Sequence, residues 1–236
     1  MDLGERGDIT SLDSVPADAR AVARVVARQP GVLAGQDAAA EVLRQTGVSG
    51  ERLADDGARV EPGDAVLRVE GSARGVLAAE RTALNLLCRL SGIATLTARF
   101  AEACAPVPVL DTRKTTPGLR ALEKAAVRAG GGVHHRRGLD DRVLIKDNHL
   151  GLGGVELAEA VRRARELLPD APVEIEADDL DGLRAAVAAG ADWVLLDNMD
   201  DAELRRAVDV AGGRVTLEAS GGMSHDRART AATTGV

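Results

Sequence analysis

The sequence predicts a mixed α/β protein, with an α+β first half and a second half in which parallel strands alternate with helices. Six apolar runs in the second half each stop on charged, polar or glycine residues. They are VPVLDTRKTT (107–116), GGVHHRR (131–137), VLIKDNH (143–149), VEIEADD (173–179), WVLLDN (193–198) and VTLEASGG (215–222). Buried parallel strands read as continuous Val/Ile/Leu runs, and polar residues beyond their carboxyl ends line the crevice where α/β proteins bind ligands. Function is therefore expected at these strand ends.

In the first half, helices are predicted on both sides of a β segment. Residues 16–29 open with Pro16 and have a helical apolar pattern, and residues 35–47 form a second short amphipathic stretch. Residues 58–71 alternate apolar and polar side chains around a Pro-Gly-Asp turn, which predicts a hairpin or strand pair. A long helix is predicted over residues 75–104, with an interruption near Ser91 and Gly92.

In the second half, helices are predicted between the apolar runs. The candidates are residues 119–128, 155–168, 180–189, 202–210 and 225–233. Right-handed βαβ units repeated in this way form a doubly wound sheet or a closed barrel, and the pattern alone does not choose between them. The sequence reaches its last residue where another strand is expected, so a closed barrel would lack its last unit.

Composition narrows the functional class. The chain has 236 residues and is 45% hydrophobic, which is enough for a substantial core. A net charge of -7 argues against a general polyanion binder, and the near absence of aromatic residues removes stacking platforms for nucleic acid. Cys88 and Cys104 fit no metal-binding spacing and are interpreted as small buried apolar residues in a reducing compartment. Without a leader or a membrane-length apolar run, a cytoplasmic enzyme without membrane or nucleic-acid partners is predicted.

Two basic segments predict an anion-binding pocket. Arg113 and Lys114 follow a predicted strand and precede a helix that starts near Pro117, so cations and free backbone N–H groups converge there. A glycine run at 130–132 precedes the HHRR segment, which contains His135 and Arg136. Glycine allows a ligand to approach the backbone closely, and guanidinium groups bind carboxylate or phosphate oxygens in bidentate pairs. A basic turn facing solvent is the alternative for each segment.

The later strand ends carry a lysine, several acids and a glycine-rich turn. Strand alternation would place Lys146 and Asn148 on one side of the chain. Lys146 suits an anion site or a Schiff base, and carboxylates suit Mg²⁺ or ribose hydroxyls. The acids are Glu174, Glu176 and Asp197, and the segment 219–222 (Ala-Ser-Gly-Gly) fits an anion nest. Together these groups predict a phosphorylated, diol-bearing substrate with an acidic partner, and no acyl-transfer triad is present.

The same residues, in the same order, closely resemble the quinolinate phosphoribosyltransferase family. The matching stretches are GDIT (7–10), GVLAG (31–35), ERTALNLLCRLSGIATLT (80–97), VLDTRKTTPGLRALEKAAVRAGGG (109–132), HRRGLDDRVLIKDNH (135–149), EIEA (174–177), GADWVLLDNM (190–199) and LEASGGM (217–223). The resemblance implies an N-terminal α/β sandwich domain over residues 1–104 and a TIM-like α/β barrel domain over residues 105–236, C-terminally incomplete. It also implies Mg²⁺-dependent transfer from 5-phosphoribosyl 1-diphosphate to quinolinate, giving nicotinate mononucleotide, pyrophosphate and CO₂ in NAD synthesis.

The resemblance further assigns roles to residues. It implies a homodimer or higher homo-oligomer with shared active sites, in which Arg81 reaches into the partner subunit. The catalytic residues would be Lys114, Lys146, Glu176 and Asp197, with Glu176 and Asp197 also engaging the metal. The substrate-binding residues would be Arg81, Arg113, His135, Arg136, Ser220, Gly221 and Gly222.

The sequence departs from the family pattern at two places. His134 stands where the family commonly has Asn, and the family continues past Val236 with a strand and a glycine-containing phosphate loop. If the chain ends there, we expect weak donor binding.

Three other functions remain open at this stage. One is a relative associated with molybdenum transport or a nicotinate-using phosphoribosyltransferase, another is a barrel aldolase with Lys146 as Schiff-base nucleophile, and the third is a non-catalytic binding protein.

Overall fold

The computed structural model describes residues 3–236, which form two compact units. The first unit runs through Ala101 and also contains Lys114–His134; the second contains Glu102–Arg113 and His135–Val236. These units are groups of mutually packed residues, and the domain boundary predicted between residues 104 and 105 stays a prediction. No helix in the described range is both long and apolar enough to span a bilayer.

The first unit combines two small antiparallel sheets with helices. Its elements are α1 (Ile9–Ser14), β1 (Arg20–Val26), β2 (Gly31–Val32), α2 (Gln36–Gln45), β3 (Ser49–Arg52), β4 (Arg59–Val60), β5 (Ala65–Ser72), most of α3 (Ala73–Cys104) and α4 (Arg120–Ala129). One sheet has the order β1-β5-β3, and β2 pairs with β4. A buried aliphatic cluster that includes Leu43, Leu67 and Leu87 joins α2, β5 and α3.

Of three predictions about the region before α3, one is wrong, one is confirmed and one is right in part. Residues 20–26 form strand β1 instead of a helix, because three valines favour β structure and the segment pairs antiparallel with β5. The predicted helix over 35–47 is confirmed as α2. Residues 58–71 contain two strands as predicted, but β4 and β5 pair with other strands instead of with each other.

Helix α3 runs without the predicted interruption at Ser91 and Gly92. The Ser91 hydroxyl accepts a hydrogen bond from the backbone N–H of Ala34 at 3.0 Å. One turn later, the Thr95 hydroxyl accepts from the N–H of Val32 at 2.9 Å. The polar residues that suggested a break therefore tie the helix to the chain around β2.

The second unit is built on a four-stranded parallel sheet in the order β6-β7-β8-β9. The strands are β6 (Val143–Ile145), β7 (Val173–Ala177), β8 (Trp193–Asp197) and β9 (Thr216–Ser220). The helices are α5 (Asp147–Gly153), α6 (Leu157–Leu167), α7 (Leu180–Ala189), α8 (Asp201–Ala211) and α9 (His225–Ala231). Four of the six apolar runs are thus strands, whereas 107–116 and 131–137 contain only single bridge residues, Leu110 and Val133.

The two faces of this sheet differ in chemistry. One face carries apolar residues such as Ile175, Val194 and Leu196, which are buried against helix residues including Leu183 and Leu204. Side chains alternate along a strand, so the residues between them lie on the opposite face. That opposite face carries Glu174, Glu176, Trp193, Leu195, Asp197, Glu218 and Ser220. We call it the polar face, and it holds three of the predicted site residues, Glu176, Asp197 and Ser220.

Capping residues fix the starts of the helices that follow β7, β8 and β9. Asp179 accepts hydrogen bonds from the backbone N–H groups of Asp181 and Gly182 at the start of α7. Asp200 forms a capping box with Glu203 at the start of α8, and Ser224 caps α9. These caps satisfy N–H groups that would otherwise lack partners, so the turns between strand ends and helices have a defined course.

Candidate functional site

A buried histidine and two carboxylates meet on the polar face. Nε2 of His135 lies 2.6 Å from Oε2 of Glu174 and 3.3 Å from Oε2 of Glu218. The His135 side chain is 6% exposed and the Glu174 side chain is fully buried. The backbone N–H of His135 donates to Oδ1 of Asp111 at 3.1 Å, which fixes the chain where it enters the site. We refer to His135, Glu174 and Glu218 as the histidine cluster.

The histidine cluster favours a charged imidazole. Hydrogen bonding to Glu174 and then to Glu218 raises the pKa of His135 to about 9, and burial opposes this only in part. Burial alone would raise the pKa of Glu174, but the contacts with His135 and Arg142 outweigh it and the pKa falls below its usual 4.5. His135 is therefore a cation at neutral pH and loses its proton as the pH rises through about 9.

Arg142 is a member of this site that the sequence analysis did not single out. Its Nη1 donates to Oε2 of Glu174 at 3.3 Å. Its guanidinium carbon lies 4.5 Å from the centre of the Trp193 ring, within the range of a cation–π contact. Arg142 is thus held on the polar face by one carboxylate and one aromatic ring.

Arg113 and Arg136 add positive charge to the same unit. Burial lowers the pKa of Arg136 below its usual 12.5, and the neighbouring charge of Arg113 lowers it further. Two guanidinium groups that repel each other in a partly desolvated place are stabilised when an anion binds between them. The predicted anion pocket is consistent with this arrangement.

A second group of charges lies at the carboxyl ends of β7 and β8. The carboxylate oxygens of Glu176, Asp178 and Asp197 approach within 4.8 Å of one another, and we call these residues the acidic cluster. Nζ of Lys146 contacts Oε2 of Glu176. Burial raises the pKa of Asp178, and the surrounding carboxylates, Asp147 first, raise it further. Glu176 and Asp197 were predicted from the sequence, whereas Asp178, which follows the VEIEA strand directly, was not.

Lys146 occupies a different local structure from the predicted one. The strand ends at Ile145, Lys146 is the extended residue before α5, and Asn148 lies inside that helix. The prediction that strand alternation sets the directions of residues 146–149 is therefore wrong. The ring Nδ1 of His149 accepts the backbone N–H of Lys146 at 3.0 Å, which fixes the turn from the strand into α5.

Ser220, Gly221 and Gly222 follow β9 beside Asp197. Ser220 is the register partner of Asp197, and its carbonyl accepts the N–H of Asn198 at 2.9 Å. Asn198 is the non-glycine residue with positive φ, 58°, in the described range, and its side-chain amide donates to Oδ2 of Asp197 at 2.7 Å. The Asn198 side chain therefore helps to orient a carboxylate of the acidic cluster.

A Gly221→Ala variant is expected to lose about 1 to 3 kcal/mol of folding free energy. Gly221 has a φ of 89°, and an added Cβ would lie 2.2 Å from Oδ1 and 2.8 Å from the backbone N of Asn198. Thermal or denaturant unfolding measures this loss. A Gly213→Ala variant is the control, since Gly213 has a φ of 72° but nothing within 4 Å of the added carbon. Equal losses in the two variants would refute the role of the Asn198 contact.

Two predicted site residues, Lys114 and Arg81, belong to the first unit. Lys114 is exposed at the start of a loop that Glu123 anchors. Oε2 of Glu123 accepts a hydrogen bond from the backbone N–H of Thr116 at 3.1 Å, and Oε1 of Glu123 accepts one from Nε of Arg89 at 3.0 Å. Arg81 is exposed on α3. Their participation in the site stays a prediction.

Comparison with known proteins gives consistent matches along the chain. Residues 8–91 match the model "Quinolinate phosphoribosyl transferase, N-terminal domain", and residues 93–236 match the C-terminal domain model of that family. A nicotinate-nucleotide pyrophosphorylase [carboxylating] of Mycobacterium leprae is 46% identical over 238 residues, covering 97% of this chain and 84% of that protein.

Solved structures extend these matches to the fold. The nicotinate-nucleotide pyrophosphorylase from Francisella tularensis has a TM-score of 0.92 and 39% identity, covering 100% of this chain and 84% of that one. The protein of that name from Ehrlichia chaffeensis has a TM-score of 0.93 and 35% identity, covering 100% and 86%. The predicted fold class, an α/β sandwich domain with an α/β barrel domain, is confirmed.

Proposed function

Because the chain belongs to the quinolinate phosphoribosyltransferase family, we propose that the polar face of its parallel sheet is the site of phosphoribosyl transfer. The chain is an enzyme that transfers the phosphoribosyl group of 5-phosphoribosyl 1-diphosphate to quinolinate, with decarboxylation, in NAD biosynthesis. The observation that carries the placement is the separation of charge on this face: cationic residues around His135 and Arg136, and the acidic cluster beside Lys146.

The cationic side of the site suits quinolinate. This substrate is a planar pyridine diacid, and guanidinium groups bind planar carboxylates through paired hydrogen bonds. Arg113, Arg136 and protonated His135 would bind the two carboxylates, and Arg81 would add a further cation. Binding of the diacid offsets the repulsion between the guanidinium groups of Arg113 and Arg136, so part of the binding free energy comes from relieving this repulsion.

The other side of the site suits the phosphoribosyl donor. Glu176 and Asp197 would accept hydrogen bonds from the ribose hydroxyls, Lys146 and Lys114 would neutralise the diphosphate, and residues 220–222 would hold the 5-phosphate. Glycines with positive φ at 221 and 222 let the backbone approach an anion closely. Holding both substrates together replaces a bimolecular encounter by a reaction between aligned groups.

The reaction requires positioning and charge stabilisation more than acid–base chemistry. As the bond between C1 of the ribose and the diphosphate oxygen breaks, positive charge develops on the sugar and negative charge on the leaving group. Carboxylates beside the sugar and lysines beside the diphosphate lower the energy of this charge separation. The pyridine nitrogen forms the new bond to C1. The resulting cationic ring stabilises the carbanion left when the adjacent carboxylate departs as CO₂, and a proton from solvent then completes nicotinate mononucleotide.

We propose that the donor is bound with Mg²⁺ at the acidic cluster. Three carboxylates within 4.8 Å of one another are oxygen ligands of the kind that Mg²⁺ prefers. The pKa of Asp178 is raised by burial first and by the neighbouring carboxylates next, and a divalent cation would relieve the repulsion between these carboxylates. Glu176 and Asp197 would hold the ion, which supplies charge neutralisation for the diphosphate.

Chelation of divalent cations is expected to abolish turnover, and added Mg²⁺ should restore it. In an Asp197→Asn variant the Mg²⁺ concentration for half-maximal activity should rise by about tenfold or more, since one anionic ligand is lost. An Asp181→Asn variant, which changes an exposed acid paired with Arg184, is the control. An unchanged Mg²⁺ requirement in Asp197→Asn would contradict the placement.

The assembly and location are also proposals. A homodimer or higher homo-oligomer with shared active sites follows from the family resemblance, with exposed Arg81 as the residue that reaches the partner subunit. A cytoplasmic location is supported by the two free cysteines, Cys88 and Cys104, which suit a reducing compartment. Cys104 is buried as predicted, but the prediction that Cys88 is buried is wrong, because it lies exposed on α3.

The hypothesis that the enzyme is specific for a diacid is tested by comparing quinolinate with nicotinate as the phosphoribosyl acceptor. Formation of nicotinate mononucleotide from quinolinate, with little or none from nicotinate, is the expected result, because a monoacid leaves part of the cationic side unpaired. Turnover of nicotinate alone would overturn the proposal. The aldolase alternative is less well supported, because Nζ of Lys146 is engaged by the carboxylate of Glu176.

A further inference from the structure

Glu174 is a buried acid for which the reaction described above has no use. It is the second residue of β7, it is fully buried, and its Oε1 has no hydrogen-bond partner among residues 3–236. A carboxylate removed from water is costly unless cations pair with it. Its other oxygen, Oε2, lies between His135 and Arg142, at 2.6 Å and 3.3 Å. Glu174 therefore links two cations of the site.

We propose that Glu174, assisted by Glu218, is a positioning residue that holds His135 by Nε2 and leaves the opposite N–H, on Nδ1, for a substrate carboxylate. The proposal rests on the proposed function only for the identity of that carboxylate. Both glutamates approach the same ring nitrogen as ion pairs, so their attraction acts on one edge of the ring. A neutral imidazole carries one proton, and the carboxylate pair would compete with the substrate for it; a protonated ring serves both.

The charges around His135 support this arrangement. Glu174 on β7 and Glu218 on β9 face its Nε2, and Asp111 accepts its backbone N–H. The remaining groups are cations: Arg142 beside Glu174, Arg136 next in the chain, and Arg113 beside Arg136. These cations disfavour a further positive charge, so the two glutamates are the groups that keep His135 protonated. They do so through contacts that need no substrate.

The first test follows the His135 ring by NMR in the full-length protein without substrates. The chain has four histidines, and the His135 signal is the one lost in a His135→Asn variant. In the unmodified protein the pKa of His135 is expected to be about 9, and in the Glu174→Gln variant the pKa of His135 should fall toward 6.5. Glu218→Gln, a change at a less buried position, should shift it in the same direction by less. An unchanged His135 pKa in both folded variants would overturn the proposal.

The second test separates positioning from a merely structural role. In Glu174→Gln, the KM for quinolinate should rise about tenfold or more at pH 8 while the KM for the donor changes less than about twofold. The increase should be smaller at pH 6, where His135 is protonated even without Glu174. A rise in both KM values that does not depend on pH would show a structural role only and contradict the proposal.

The two proposals fail in different ways. If the unmodified protein does not turn over quinolinate but the His135 pKa falls in Glu174→Gln, the function is wrong and the positioning contact is right. If quinolinate is turned over and the His135 pKa is insensitive to both glutamates, the function stands and the positioning role is refuted.

Discussion

A Lys146→Met variant is expected to lose about two to three orders of magnitude in kcat/KM for the phosphoribosyl donor. Lys146 lies where β6 passes into α5 and contacts Glu176 of the acidic cluster. We propose that its positive charge stabilises a diphosphate whose negative charge increases as the bond to the ribose breaks. This stabilisation is greater in the transition state than in the ground state, so kcat should fall as well as kcat/KM. Steady-state kinetics with varied donor measures both.

The control for Lys146→Met removes another cation that is paired with a glutamate, at a position outside the candidate site. Arg163 on α6 is exposed and paired with Glu159, and its replacement by Met should leave both kinetic constants unchanged because surface pairs contribute little. Lys146→Arg should recover part of the activity, because it keeps the charge but not the compact ammonium geometry. If Lys146→Met retained activity within about threefold of the unmodified protein, Lys146 would have no place in the donor site.

An Arg136→Ala variant should weaken the binding of quinolinate far more than the binding of the phosphoribosyl donor. The expected loss is about 2 to 4 kcal/mol in transition-state binding of quinolinate, that is, roughly 30-fold to 1,000-fold in kcat/KM for this substrate. Arg136 is partly buried and repelled by Arg113, so in the free protein it is poised for an anion. The KM for the donor should change little, since the guanidinium is assigned to the pyridine carboxylates.

Arg137→Ala is the matched control for Arg136→Ala. Arg137 is the next residue, of the same type, but it is exposed. Its replacement should leave kcat/KM for quinolinate within about twofold, because an exposed guanidinium contributes little. An unchanged kcat/KM for quinolinate in Arg136→Ala, or equal losses in the two variants, would remove Arg136 from the quinolinate-binding group.

The parallel half of the fold could be predicted from the sequence because its signals are local. The runs VLI, VEIEA, WVLLD and TLEAS are strands, and helices α6, α7 and α8 between them lie within a few residues of the predicted bounds, whereas the short helix α5 was not predicted. Apolar runs, Asp and Ser caps and helical periodicity all agree in this region. The strand β1 could not be predicted in this way, because its pairing with β5 depends on a segment about 40 residues further along the chain.

The individual residues of the candidate site were predictable where they follow or belong to an apolar run, but their contacts were not. Lys146, Asp197 and Ser220 follow or end their strands, and Glu174 and Glu176 lie in the run VEIEA, so they stood out from the apolar residues around them. Glu174 and Glu218 lie within β7 and β9, and their importance depends on the burial of the polar face and on contacts with His135. Those contacts join positions 39 to 83 residues apart, and nothing local in the sequence indicates them.

The most direct test of the central claim is to follow both products from quinolinate labelled in the carboxylate next to the ring nitrogen. Labelled CO₂ and pyrophosphate should appear in a one-to-one ratio, and only when quinolinate, donor and Mg²⁺ are all present. This ratio is expected because decarboxylation follows formation of the cationic ring on the same molecule. Release of CO₂ without donor, or of pyrophosphate without CO₂, would contradict the coupling of the two substrates on one polar face.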